Sequence, residues 1–359
     1  MSDRQPRASG YFRTSYFQDQ ALLQTRFEKI STLVAVAALL GFPLVATSFQ
    51  LDLACQAFLA SVGALALMLL TGFAGQVSLG HAGLIAAGAF TAGVLYRETG
   101  APIWITLPAA GLVGAVLGFV FGLPSLRLRG LYLAISTLAL YFVVIYIGGE
   151  YETKRGFSTG IVIDPPIVGG IKISGPRVWY FILLSAAALT LLVALNLLRS
   201  RTGRAWRAVR TRETVATAFA IDVQRTKLSA FVVSSTITAI AGALFGYWRG
   251  FVSVEAFSLF LSIQYVAMVI IGGMGSLLGA ILGAIFVTLF PYGIESAMHF
   301  LVGRTSPSVV FPLNHMAFGL VMVLFLVFEP LGLVGIYKRI QTWFLLWPFK
   351  QKTLAGGRK

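Results

Sequence analysis

The chain is 359 residues long, 57% hydrophobic and only 11% charged, against about 25% charge in ordinary soluble domains. Its 28 basic and 13 acidic residues give a formal net charge of +15, a balance that would suit nucleic acid if the bases formed a patch on a folded domain. Here they lie between long apolar runs, where a bilayer surface explains them instead. The composition therefore excludes most soluble folds, argues against a nucleic-acid partner, and predicts an all-α polytopic membrane protein in contact with lipid.

Residues 1–29 carry five bases and three acids with no apolar stretch, so they are expected to form a tail and not a cleavable signal peptide. A helix needs roughly 20 apolar residues to cross about 30 Å of hydrocarbon. By that measure about ten crossings follow, at 30–49, 53–72, a short 80–96, 103–123, 131–149, 178–198, 228–247, a short 259–275, 277–293 and 309–328. None contains Asp, Glu, Lys or Arg; His81 and His315 are their only imidazoles. Residues 30–329 are thus read as the membrane domain, interrupted by a polar loop at 199–227, and 330–359 as a basic tail. The single cysteine, Cys55, excludes an intrachain disulfide.

Loop charge sets the expected orientation. With the N-terminus inside, 21 basic residues fall on the inner side and 7 on the outer, while acids divide 6 and 7. Both termini are expected in the cytoplasm. Glycines recur every fourth residue at Gly114, Gly118 and Gly122, at Gly275, Gly279 and Gly283, and at Gly242 and Gly246, the spacing that lets helix backbones pack closely in lipid.

Several chemistries are missing. Gly-Lys does not occur, so the chain has no P-loop for a nucleotide. No His, Asp and Glu cluster has metal-ligand spacing, and no serine sits on a nucleophile elbow; no catalytic residue and no metal is expected. Gln76, Ser78 and His81 are the only polar set that an enzyme could use. Spans without carboxylates also weigh against an ion-coupled carrier, which usually places ionisable groups there.

The segment 199–227 is the densest local signal, with eight bases and two acids. Arg204, Arg207 and Arg210 alternate with Ala205, Trp206, Ala208 and Val209 at helical spacing. Thr214 to Ala220 is small and weakly apolar, with a stripe of Val215, Ala216 and Phe219. Such a helix, presented to water, wants a groove on another protein.

These stretches carry a resemblance. Arg201-Thr-Gly-Arg-Ala-Trp-Arg-Ala-Val-Arg, Glu213 to Ala216 and Ile221-Asp-Val-Gln-Arg-Thr-Lys-Leu-Ser-Ala-Phe resemble the cytoplasmic loop of branched-chain amino-acid ABC importer permeases. Leu70-Thr-Gly-Phe-Ala-Gly-Gln-Val-Ser-Leu-Gly-His-Ala-Gly is similar to that family's Gly-Gln-x-Ser-x-Gly-His signature, and Leu126 to Ala139 resembles a segment of its M-type subunit. Gly156 to Ile161 and Ser262 to Gly279 resemble two further stretches, so the likeness covers roughly 53–330. Leu131, Ala220 and Gln264 depart from residues common in the family.

The resemblance implies a permease without a cofactor of its own, ATP being bound by two cytoplasmic ATP-binding subunits. It also implies a homologous permease subunit and a periplasmic or extracellular solute-binding protein, which would set selectivity, in a bacterial cytoplasmic (inner) membrane. Arg204, Arg207, Arg210, Glu213, Val215, Ala216, Phe219 and Ala220 would form the coupling element that meets the ATPase. The outer loop 150–177 is expected to touch the binding protein.

Glycine-rich breaks adjoin the two shortest crossings, at Gly72 to Gly83 and Gly272 to Ser276, and Ser78-Leu-Gly is echoed by Ser276-Leu-Leu-Gly. Interrupted helices in corresponding halves predict inverted repeats with a ligand path between them. Gln76, Ser78, His81, Ser136, Thr137 and Ser276 are expected to flank that path. The alternatives are a urea or sugar permease of the same superfamily, and an ion-coupled carrier that works alone.

Overall fold

A computed structural model describes residues 26–346 apart from 127, 129, 157–159, 169–170, 303–306 and 330. Thirteen helices are described: α1 (Arg26–Val45), α2 (Ser48–Leu67), α3 (His81–Thr99), α4 (Ile103–Ser125), α5 (Leu131–Arg155), α6 (Pro176–Arg199), α7 (Arg201–Thr211), α8 (Glu213–Ala218), α9 (Val223–Arg249), α10 (Leu259–Gly272), α11 (Leu277–Val302), α12 (Pro307–Phe328) and α13 (Gly332–Leu346). The strands are two-residue ladders: β1 (Ile161–Val162) pairs antiparallel with β4 (Phe251–Val252), and β2 (Ile167–Val168) with β3 (Ile171–Lys172).

Every predicted crossing falls on a helix. Six stretches are long and apolar enough to cross a bilayer unaided: Ser48–Phe73, Ile103–Pro124, Tyr132–Arg155, Pro176–Arg199, Val223–Arg249 and Leu277–Ser296. Helices α1, α10 and α12 hold shorter apolar segments. The protein is therefore polytopic and all-helical, with six spans given by length and composition.

Boundaries shift for local reasons. The first helix stops at Val45, not Phe49, because Thr47 and Gln50 form a capping box that starts α2; reciprocal side-chain bonds of this kind satisfy the free N–H groups of a new helix. Helix α5 runs on to Arg155, where Gly156 ends it at φ +70°. Helix α11 continues to Val302, beyond the expected end at 293. The largest difference is at the C-terminus, where 332–346 is a helix and not merely a tail. It packs on α10 and α11, and Glu329 pairs with Arg339 at 3.0 Å.

The glycine repeats hold the bundle together as their spacing predicts. Helix α9 lies between α3 and α4. A Cβ on Gly114 would stand 2.6 Å from the Ser235 carbonyl oxygen, and Cβ atoms on Gly88 and Gly242 would collide with the backbone of Ala239 and Ile85. Lipid offers no hydrophobic gradient between helices, so close van der Waals packing of this kind is what joins them. Gly279 and Gly283 seat α11 on α10 in the same way.

Candidate functional site: helices α7 and α8 and the two broken segments

Helix α2 does not end cleanly. Met68–Phe73 widens into a π turn, a distortion that recurs at functional positions, and the chain then runs as a break to Gly80 before α3 begins at His81. The second break, 273–276, separates α10 from α11. The two breaks touch: a Cβ on Gly72 would stand 3.1 Å from the Gly275 nitrogen, and that nitrogen donates to Met68 Sδ at 3.2 Å. Leu331 and Gly332, leading into α13, close over the second break against Ile271 and Gly273.

Arg210 of α7 reaches into this junction. Its Nη1 donates to the Gly72 carbonyl. A Cβ on Gly75 (φ +73°) would stand 3.0 Å from Arg210 Cγ, and one on Gly275 3.0 Å from Arg210 Nη1. Glycine is required at these points for room as well as for conformation. A second tether runs beside it. Lys227 is buried and its Nζ lies 2.6 Å from Glu213 Oε1, while its carbonyl accepts from Gln76 Nε2 at 3.2 Å. The first broken segment is thus linked to α7 by one arginine and to α8 by an ion pair.

The remaining predicted coupling residues divide between anchors and free surface. Arg207 Nη2 donates to the Leu198 carbonyl and Arg204 Nη1 to the Arg199 carbonyl, both at 2.7 Å, where cations suit the exposed carbonyls at a helix C-terminus. Trp206 is fully buried and donates to Ser229 Oγ at 3.0 Å. Of the expected apolar stripe, Val215 is 46% exposed and Phe219 77%, but Ala216 is 1% exposed: it packs inward, because one side of so short a helix must rest on its own chain. Ala220 closes α8 with φ +58°, the one positive φ outside glycine among the described residues. The Ile221 N–H reaches the Ala216 carbonyl, the 6→1 bond of a helix-ending turn in which glycine is usual.

The expected path residues are also placed. Gln76, Ser78, His81 and Thr137 are buried; Ser136 and Ser276 are partly so. Thr137 Oγ1 accepts from the Leu79 N–H and donates to the Ala134 carbonyl, both at 2.9 Å, and Ser276 Oγ accepts from the Gly279 N–H at 3.3 Å. Those two hold the breaks in place. Gln76 Oε1 and His81 Nε2, in contrast, are buried without a hydrogen-bond partner, which is uncommon enough to need a reason. The His81 ring lies against Tyr265, centroids 4.7 Å apart. No group of three or more His, Cys, Asp or Glu side chains could hold a metal among the described residues.

Toward the far end of the bundle lies a cavity of about 280 Å³, not announced by the sequence, floored by Tyr265 and walled by α2, α9, α10 and α11. None of the six expected path residues lines it. Its polar members, Gln56, Gln264, Thr288 and Tyr292, are scattered over three helices and carry no motif that would have joined them. On the same side the β1–β4 ladder ties the outer loop to 251–252. Within that loop Arg155 pairs with Glu98 at 2.9 Å and Lys154 with Glu150 at 3.1 Å. Arg127 and Arg129 lie outside the described residues.

A family model described as "Branched-chain amino acid transport system / permease component" matches residues 49–338. The chain is 32% identical over 286 residues to the high-affinity branched-chain amino acid transport system permease protein LivM of Salmonella typhimurium, covering 73% of this chain and 67% of that one, and the same holds for LivM of Escherichia coli. It is 31% identical over 188 residues to the autoinducer 2 import system permease protein LsrC of Klebsiella pneumoniae, 49% of this chain and 51% of that one. No solved structure matches it. The chain belongs to the permease components of branched-chain amino-acid transport systems, as an M-type permease of the ABC importer family.

Proposed function

We propose that this chain forms half of the membrane path of an ATP-driven importer of branched-chain amino acids. It pairs with a homologous permease, two cytoplasmic ATP-binding subunits and a solute-binding protein outside a bacterial inner membrane. Both termini lie on the cytoplasmic side. The observation that carries the reading is Arg210, held on the Gly72 carbonyl where the two broken segments meet.

The mechanism follows from that contact. Val215 and Phe219 offer an apolar tip to the ATP-binding subunit; burying each side chain contributes about 1.5–3 kcal/mol. When the ATPases close, α8 is displaced and α7 moves with it, because the two are joined through Arg212 alone and pack against each other. Arg210 and the Glu213–Lys227–Gln76 chain pass the displacement to the first break. Irregular backbone at membrane depth is tolerated only where it is buried in protein or lines a water-filled cavity; this junction supplies the bistable element. Gln76, Ser78 and His81 flank the route that opens, the first and last with polar atoms still free to meet water or substrate.

The test is assembly followed by uptake. Replacing Val215 and Phe219 with Asp abolishes co-purification of the ATP-binding subunit and ATP-driven leucine uptake into vesicles, while the permease pair still assembles. An importer that retains both after this change, or a purified chain that moves solute uphill alone, overturns the proposal.

A further inference from the structure

The cavity above Tyr265 has the size and chemistry of a small-molecule site. Its volume, about 280 Å³, lies just below the roughly 300–1,000 Å³ of pockets that take drug-sized ligands. Leu59, Phe245, Met268 and Val287 are among its apolar lining, and no charged side chain lines it. The polar side chains are uncommitted. Tyr292 reaches Gln56 Oε1 only at 3.5 Å, and among the described residues neither Gln264 nor Thr288 has a hydrogen-bond partner in the chain. Thr288 is the telling one, since its side chain is buried. Threonines at helical positions elsewhere in the bundle (Thr91, Thr190, Thr236 and Thr238) donate to the carbonyl four residues back; Thr288 does not. Its hydroxyl is not sealed off in the packing but opens onto the cavity it lines.

Resting on the function proposed above, we infer that this cavity is a binding site within the permease for a neutral aliphatic amino acid. The hydrocarbon side chain lies among Leu59, Phe245, Met268 and Val287. The ammonium and carboxylate meet Gln56, Gln264 and Thr288, below the Arg249–Asp52 pair (3.6 Å) one turn beyond. A substrate with net charge would be left uncompensated there, at high cost in an apolar site; a zwitterion presents two opposite charges to dipolar groups. Tyr265, in the space that Gly63 leaves open, is the floor, and its contact with His81 places the site one residue layer above the first break.

The experiment uses vesicles carrying the whole importer, with the binding protein saturated in turn by leucine and by valine. Ala60→Leu narrows the cavity, and the leucine-to-valine uptake ratio is expected to fall about tenfold, the scale of discrimination that one methylene gives. Thr288→Val keeps the shape and removes the hydroxyl. It is expected to slow both substrates about threefold to tenfold, the loss of one hydrogen bond. If Ala60→Leu does not assemble, the nearly isosteric Thr288→Val decides alone. Variants that match the parent in ratio and rate overturn the cavity site and leave the importer reading intact. A parent that carries no aliphatic amino acid overturns that reading and this one together.

Discussion

The two ends of the bundle are built on opposite principles. At the α7–α8 end five charged side chains are committed: Arg204, Arg207, Arg210, Glu213 and Lys227 each hold a named partner. At the cavity end Gln264 and Thr288 hold none. The difference matches the roles proposed for each end. A part that transmits force needs stiff, directional links, and charged hydrogen bonds are the strongest available. A part that passes a solute must keep its polar groups free for that solute. The cavity's outer rim is well separated from the junction: Gln56 is 16 residues from Gly72 along one helical segment, roughly 24 Å at 1.5 Å per residue.

Changes at four places break or sharpen this contrast. Arg210→Ala removes the link at the junction. ATP-driven uptake in vesicles is expected to fall more than about tenfold, as expected when an element that couples two sites is cut, while ATP hydrolysis persists. Arg210→Lys does not restore it, because its ammonium ends one bond short of the Nη1 that reaches the Gly72 carbonyl. A variant with normal uptake per ATP would show that the arginine merely packs.

Glu213→Ala leaves Lys227 buried without its partner. A buried pair broken this way costs up to about 3–5 kcal/mol; Glu213 is partly exposed at 30%, so about 2 kcal/mol is expected, seen as a lower thermal midpoint of the purified permease. Lys227→Met in the same background recovers most of it. Ala220→Gly acts in the opposite direction: relief of φ +58° stabilises the α8 end by about 1 kcal/mol, measured by slower amide exchange at Ile221. The smallest effect is in the loop 150–177. Reversing the charges of Lys154 and Arg155 breaks exposed pairs worth about 0–1 kcal/mol each, so stability holds while affinity for the solute-binding protein drops. Unchanged affinity would remove this part of the loop from that interface.

Much of the site was legible because it is local in sequence. Arg204, Arg207 and Arg210 at helical spacing announce α7, and Gly-rich polar runs beside short apolar ones announce both breaks. The C-terminal helix was not legible as part of the bundle. Its residues 332–346 are amphipathic and basic, a pattern shared by surface tails, and only packing on α10 and α11 distinguishes the two. Ala216 was read with the exposed stripe for a similar reason: periodicity shows which residues share a face but not what stands against it.

Taken alone, the amino-acid order determined that this protein lives in a bilayer as a bundle of helices, since apolar length and charge-free runs leave the backbone no other way to satisfy its hydrogen bonds in hydrocarbon. It also determined where glycine lets helices meet. Only the tertiary structure decided that Arg210 stands at the junction of two breaks more than 60 residues away on either side, and that Gln56, Gln264 and Thr288 converge on one cavity. Those placements depend on the packing of helices distant in sequence, which no spacing along the chain encodes.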